Sequence, residues 1–189
     1  MKLSGVAAMM IAGAAPVFAA TPVHEIIVSI PDRKLVLLED GKVKKIYPIA
    51  VGKTATPSPV GAFHISSHVK DPTWYGPHVI VPPGKGNPLG TRWMGLGYKG
   101  YGIHGTNAPR SIGKAASHGC IRMRVKDAEE LFEMVAVGDA VELHADRDDV
   151  ISKLLPITGK PGQPVPAATP SPAATPVITA SVRTTAGGQ

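Results

Sequence analysis

The residues best suited to chemistry lie within one short stretch of the chain. Two histidines, His104 and His118, and the only cysteine, Cys120, fall within seventeen residues, and each histidine precedes a glycine. A thiol with an ordinary pKa near 8.5 is mostly protonated at pH 7, and a neighbouring imidazole can take its proton during attack. We therefore interpret this stretch as the site of a cysteine nucleophile with a histidine base.

The residues around Cys120 agree with this interpretation. Gly119 allows a sharp turn of the backbone, and the N–H groups at such a turn can hold an oxyanion. The spacing does not show which of the two histidines is the base. His118 lies two residues before Cys120 and would share its face in an extended segment, whereas His104 comes from a separate segment.

Two other interpretations of the same residues stay open at this point. His104, His118 and Cys120 could be three ligands of a zinc ion with one open position, although no CxxC or HExxH pattern accompanies them. Alternatively, both histidines could be ordinary polar residues and Cys120 a small buried hydrophobic residue. A lone cysteine excludes an intrachain disulfide.

The elements that must position these residues are short strands and turns. Apolar patterns predict strands at 24–30, 34–39, 42–51, 62–69, 92–96, 100–104 and 140–144, with a hairpin at Asp40–Gly41. Helical spacing predicts one helix over about 125–135, with Asp127 and Glu130 as an N-terminal cap pair. This density of short strands predicts a mostly β domain, either an antiparallel sandwich or a partly closed barrel.

Composition narrows the protein class. The 189 residues include 21 Gly and 19 Pro, which favours turns and short strands over long helices. The sequence has no sustained heptads, which excludes a coiled coil. It has only one apolar stretch, at a terminus, which excludes a polytopic membrane protein. The net charge is +6, but the basic residues form no stripe with interleaved aromatics, so we expect no nucleic-acid partner.

Both ends of the chain differ from its middle. Residues 1–19 have a charged Lys2, an apolar run and a small-residue end, which predicts a signal peptide cleaved after Ala19 or Ala20 and hence export. Residues 156–189 are rich in Pro, Ala and Thr and predict a disordered tail. A single globular domain of about 130 residues is therefore expected between the two ends.

Several motifs in that domain resemble the L,D-transpeptidase (YkuD-like) family of bacterial cell-wall enzymes. The most specific is the run Ser117–Arg122, Ser-His-Gly-Cys-Ile-Arg, which follows Ile-His-Gly-Thr at 103–106. Further agreement comes from Thr56-Pro57 through Phe63, from Asn-Pro-Leu-Gly at 87–90 and from Ser-Ile-Gly at 111–113. The resemblance covers about residues 23–145.

The resemblance implies a role for each residue of the motif. Cys120 corresponds to the nucleophile, and His104 corresponds to the general base, oriented by the main-chain carbonyl of Gly105. The pocket and the oxyanion site would be shaped by Ser117, His118 and Gly119. Arg122 stands where some versions of the motif carry Asn; it could pair with a substrate carboxylate or hold the loop by hydrogen bonds.

The family also implies an activity. The resemblance implies that the protein is a peptidoglycan L,D-transpeptidase of the periplasm. It further implies a β-sandwich or partly closed barrel with one short helix after the catalytic cysteine, and no requirement for a cofactor or metal. A thioester forms at the L-centre of residue three of a tetrapeptide stem, D-Ala leaves, and an amine of a second stem or an envelope protein accepts the acyl group. Alternatives on the same residues are an L,D-carboxypeptidase or cross-link-cleaving hydrolase, and a non-catalytic wall-binding module.

Overall fold

The computed structural model describes residues 22–98 and 100–157. The expected signal peptide at 1–19 and nearly all of the expected tail lie outside these described residues. Within them, no helix has the length and apolar character needed to cross a membrane.

Thirteen short strands and two α-helices make up this part of the chain, together with one 3-10 turn at Pro109–Ser111. In chain order they are β1 (His24–Ser29), β2 (Lys34–Glu39), β3 (Lys42–Pro48), β4 (Val51–Gly52), β5 (Gly61–His64), β6 (Ser67–Lys70), β7 (Trp74–Tyr75), β8 (Ile80–Val81), β9 (Arg92–Gly95), β10 (Gly102–His104), β11 (Ala115–Ser117), β12 (Ile121–Arg122), α1 (Val125–Met134), β13 (Ala140–His144) and α2 (Asp149–Leu154).

The strands form two main sheets. The five-stranded sheet has the order β3-β2-β1-β13-β5, and the four-stranded sheet has the order β12-β10-β9-β6. Each contains one parallel pair, β1 with β13 and β10 with β12, while the other neighbours are antiparallel. Two further pairs, β4 with β11 and β7 with β8, stand apart from the main sheets.

The two sheets pack face to face with α1 against a shared core. Strand side chains alternate between the two faces of a sheet, and the inward ones are fully buried, for example Ile26 and Leu37 from one sheet and Ile103 and Ile121 from the other. The opposite face of the five-stranded sheet buries a second apolar cluster, Ile27, Val36 and Leu38 together with Ile151 and Leu155. Strands β1 and β2 are therefore covered on both faces, whereas most residues of the edge strand β3 are exposed.

The mostly β architecture is confirmed, and of the two expected forms the observed one is a pair of packed sheets that do not close into a barrel. The expectation of a single helix is wrong, because α2 follows β13. The Asp148 side chain caps α2 by accepting the Ile151 N–H at 2.9 Å. A six-residue helix is too short to show a clear 3.6-residue period, which is why the pattern missed it.

Other element boundaries also differ from the sequence prediction. The strand expected at 62–69 is two strands in different sheets, because Ile65 N–H bonds to Asp139 O and Ser66 N–H bonds to Gly95 O as the chain crosses between them. The segment 71–90, for which the sequence predicts no strand, contains the β7–β8 hairpin. The cap pair is wrong as well: α1 has Arg124 at its N-cap and no side-chain cap bond.

Candidate active site

Parallel pairing of β10 with β12 brings the candidate catalytic residues together. Ile103 lies opposite Ile121, and His104 lies opposite Arg122. Because both isoleucines are buried in the shared core, the alternation of side chains places His104 and Arg122 on the outer face of the four-stranded sheet. Cys120 stands two residues before Arg122, so the register directs the thiol to that same face.

His104 is held in one orientation. Its ring stacks on Trp93, the residue opposite it on β9, with centroids 5.7 Å apart. Its Nδ1 lies 2.5 Å from the carbonyl oxygen of Gly105. Since a carbonyl oxygen can only accept, Nδ1 carries the proton, and Nε2 is left as the acceptor that a general base requires.

Burial governs the protonation of His104, whose exposed fraction is 4%. The pKa of His104 is lowered from the ordinary 6.5 to about 4, chiefly by burial and also by the positive charge of Arg122, while the backbone groups of Gly105 and Leu89 act in the opposite direction. The imidazole is therefore neutral at pH 7 and able to accept a proton.

The Cys120 thiol is partly buried and protonated at rest. Burial raises its pKa, and the backbone of Gly102 and the charge of Arg122 offset part of that effect. The Sγ donates to the carbonyl oxygen of Gly100 at 3.3 Å. The resting pair is thus a neutral thiol and a neutral imidazole, and an imidazole in this state can take the proton of a thiol that attacks a substrate.

Ser117 fixes the turn that carries the thiol. Its fully buried hydroxyl donates to the Cys120 carbonyl at 2.6 Å and accepts the Gly119 N–H at 2.9 Å. The Gly119 amide is therefore already bonded within the turn. The Cys120 amide is the next N–H group of this turn that could hold an oxyanion.

Only glycine fits at position 119. Its φ is +115°, a backbone conformation that side-chain-bearing residues rarely adopt. A Cβ there would lie 2.4 Å from the ring of Tyr101 and 3.1 Å from the carbonyl oxygen of Pro57. The turn before the nucleophile thus packs directly between two other segments.

The segment that contains Thr56-Pro57 stabilises this turn through hydrogen bonds to Ser117. The Lys53 N–H and the Thr56 hydroxyl both donate to the Ser117 carbonyl, at 3.1 and 3.2 Å. The hydroxyl of Ser58 in turn accepts the Gly52 N–H at 2.9 Å. This arrangement gives the motif at 56–63 a structural task that its sequence did not reveal.

The remaining motif residues, His118 and Arg122, differ in surroundings. His118 is exposed, and its Nε2 lies 3.5 Å from the ammonium nitrogen of Lys53. Arg122 is half-buried and exchanges two backbone hydrogen bonds with Ala50, at 2.8 and 2.9 Å. No carboxylate of residues 22–98 or 100–157 pairs with its guanidinium.

Two cavities open beside the thiol and the imidazole. The larger, of about 650 Å³, is lined by Val69, Asp71, Trp74 and Tyr75 among others, and the smaller, of about 320 Å³, by Ser66, Gly97, Tyr98 and Tyr101. Both cavities share Trp93 and Gly100. Trp93 contacts the His104 ring and Gly100 contacts the Cys120 Sγ, so both cavities adjoin residues that touch the candidate catalytic groups, while neither group itself lines a cavity.

Asn87 is a positioning residue whose role the sequence did not indicate. It is 1% exposed, and its amide group donates to three carbonyls, those of Pro72 at 2.7 Å and of Val81 and Pro82 at 3.2 Å. Its oxygen accepts the Leu89 N–H at 2.9 Å. Asn87 thereby links the residues that flank the β7–β8 hairpin to the backbone that faces His104 through hydrogen bonds.

The zinc interpretation finds no support in the arrangement of side chains. Across the described part of the chain, no three His, Cys, Asp or Glu residues converge in a group that could hold a metal ion. His118 is directed to Lys53 rather than to His104 and Cys120.

The family model and the similar proteins found by comparison all belong to one family, the L,D-transpeptidases. Residues 24–143 match the family model of the YkuD L,D-transpeptidase catalytic domain. The L,D-transpeptidases YkuD and YqjB of Bacillus subtilis are 44% and 38% identical over 121 and 126 residues, which is 64% of this chain in both cases and 66% and 71% of those proteins. The chain thus spans just under two thirds of the length of YkuD.

A solved structure extends the likeness to the fold. The catalytic domain of the E. faecium L,D-transpeptidase, determined by NMR, is 29% identical with a TM-score of 0.54, and the match covers 64% of this chain and 96% of that domain. An L,D-transpeptidase from Mycobacterium smegmatis shares the fold at 21% identity and a TM-score of 0.56, over 66% of this chain and 59% of that one.

Proposed function

The chain belongs to the YkuD family of L,D-transpeptidase catalytic domains, and on this premise we propose that it is an exported peptidoglycan L,D-transpeptidase that works through a cysteine acyl-enzyme. The observation that carries the proposal is the β10–β12 register, which directs Cys120 and His104 to one face beside two cavities. Cys120 is the nucleophile and His104 the general base and acid.

In the first half-reaction, the Cys120 sulfur attacks the carbonyl carbon of the L-centred third residue of a tetrapeptide stem. The S–C bond forms as the thiol proton passes to Nε2 of His104, whose neutral state at pH 7 makes it an effective acceptor. The carbonyl oxygen becomes an oxyanion, which the Cys120 amide stabilises. The C–N bond to D-Ala then breaks, His104 returns the proton to the leaving amine, and a thioester remains.

In the second half-reaction, an acceptor amine attacks the thioester. His104 takes a proton from the amine, the new C–N bond forms, the S–C bond breaks, and the thiol is regenerated with that proton. An amine of a second stem gives a 3→3 cross-link, and an amine of an envelope protein gives a protein attached to the wall. Water in place of the amine would give a tripeptide stem.

Arg122 is proposed to hold a carboxylate of the donor. Its guanidinium faces the reacting pair closely enough to lower the pKa of both His104 and Cys120, and it lacks a carboxylate partner within the described residues. A planar guanidinium binds a carboxylate in two parallel hydrogen bonds. Export through the segment at 1–19 would bring the enzyme to this substrate in the periplasm.

The test is product analysis with disaccharide-tetrapeptide as donor, with and without an added amine. We expect D-Ala release in both cases and a cross-linked or amine-linked product where an acceptor is present. Cys120→Ala should release no D-Ala. A product that is tripeptide alone, whatever amine is added, would replace the transferase with a hydrolase; a folded wild type that releases no D-Ala would overturn both.

A further inference from the structure

Charge is distributed very unevenly along the chain. Residues 41–126, which include Cys120 and His104, contain thirteen Lys and Arg residues but a single acidic residue, Asp71. The rest of the chain contains seven basic and thirteen acidic residues. The part that carries the active site is therefore strongly cationic, which favours a substrate with free carboxylates.

Five basic side chains of the described residues pair with a carboxylate, among them Lys44 with Glu39 and Lys45 with Glu130. Lys53 has none among the described residues. Instead its Nζ lies 3.5 Å from Nε2 of His118, and both side chains are exposed beside the turn that carries the nucleophile. Two basic groups that converge without an acid between them form a place where an anion can bind to both.

The backbone holds Lys53 in position for this role. Its N–H donates to Ser117 O at 3.1 Å, and its carbonyl accepts the Thr56 N–H at 2.9 Å. A Cβ on the preceding Gly52 would lie 2.4 Å from both Ser58 N and Thr56 O. The turn that carries Lys53 is thus closely packed and bonded directly to the residue before His118.

From this geometry we propose that Lys53 and His118 form a carboxylate-binding subsite for the donor stem, separate from Arg122. The proposal rests on the proposed function. The occupant we propose is a free carboxylate of the donor stem on the acyl side of the scissile bond, for example on residue two, because a group on that side stays with the enzyme through both half-reactions.

The experiment measures KM and kcat for D-Ala release from two donors, one with the residue-two carboxylate free and one with it amidated. For the wild type we expect KM to be about fivefold lower for the free carboxylate, the size of an exposed charged contact. Lys53→Gln should raise KM for the free donor to the value for the amidated donor, with kcat unchanged. Lys53→Arg should keep the preference.

Lys114→Gln is the matched control, since it removes one exposed positive charge from the same basic part of the chain. It should keep the preference for the free carboxylate. The subsite is overturned if Lys53→Gln retains the wild-type ratio of KM values, or if Lys114→Gln loses that ratio to the same extent. Failure of the wild type to release D-Ala from either donor would instead count against the proposed function.

Discussion

The two main sheets differ in what covers their faces. The five-stranded sheet is apolar on both sides, with the shared core on one and the α2 cluster on the other. The four-stranded sheet contributes only one face to the core, and its other face presents His104, Arg122 and Trp93 beside two cavities. One sheet thus supplies much of the apolar core, and the other carries the candidate catalytic residues on the face turned away from that core.

The way each sheet is held follows from this difference. Long strands with alternating apolar residues stabilise the five-stranded sheet through burial. The four-stranded sheet has strands of two to four residues, and polar side chains complete it. Ser117 fixes the turn before β12, and Asn87 fixes the loop before β9. Substitutions in the two sheets should therefore separate stability from activity.

The largest effect is expected from Cys120→Ala. D-Ala release should fall by more than about 1,000-fold, because no other group can form the thioester. The free energy of unfolding should change by less than about 1 kcal/mol, since the thiol is only partly buried. Steady-state kinetics and urea unfolding of the same preparation check both parts, and a variant that keeps a tenth of the wild-type rate would disprove the assignment.

The converse is expected from Leu37→Ala in the five-stranded sheet. Leu37 is fully buried in the shared core, and its truncation should lower the free energy of unfolding by about 3 kcal/mol through lost burial and a residual cavity. The rate of D-Ala release per folded molecule should stay within about twofold of wild type. A loss of activity without a loss of stability would contradict the separation between the sheets.

Acid should destabilise the protein through His104. Its pKa is about 4 in the folded state and near 6.5 in the unfolded state, so between these values the unfolded chain binds a proton that the folded one does not. The free energy of unfolding should therefore fall as the pH drops from 6.5 to 4, by up to about 3 kcal/mol from this residue. His104→Gln should lack this contribution. Parallel urea titrations across that range would refute it if wild type and variant had the same slope.

The smallest effect is expected from Asp148→Ala at the start of α2. Loss of the side-chain bond to the Ile151 N–H should lower the unfolding free energy, by less than the Leu37→Ala substitution does. Catalysis should be unaffected, because α2 packs on the face of the five-stranded sheet that points away from the shared core. A shift in kcat for this variant, measured at a temperature where it is fully folded, would show that α2 influences the site.

The sequence predicted strands of the five-stranded sheet better than the short strands elsewhere, because burial leaves a clear pattern only in longer strands. β2 was predicted with its observed bounds, because burial on both faces leaves a continuous apolar run. β4, β11 and β12 have two or three residues each, too few to show a period, and β6 was joined to β5 because nothing in the local pattern marks the crossing at Ile65 and Ser66.

The candidate site shows the same limit. Residue types indicated Cys120 and His104, and the resemblance added Gly105 as the partner of Nδ1. The contacts of Lys53 with Ser117 and His118, and of Asn87 with Pro72, join residues that are 64, 65 and 15 positions apart. Such contacts arise from tertiary packing, and no local spacing encodes them.

The central claim is that Cys120 becomes acylated by a tetrapeptide stem. The most direct test is the intact mass of the protein after brief incubation with disaccharide-tetrapeptide and acid quenching, with Cys120→Ala treated in parallel. We expect a mass increase on the wild type alone, equal to the mass of the donor minus D-Ala and located at Cys120 by peptide mapping. An adduct on both proteins, or D-Ala release without any adduct at Cys120, would contradict it.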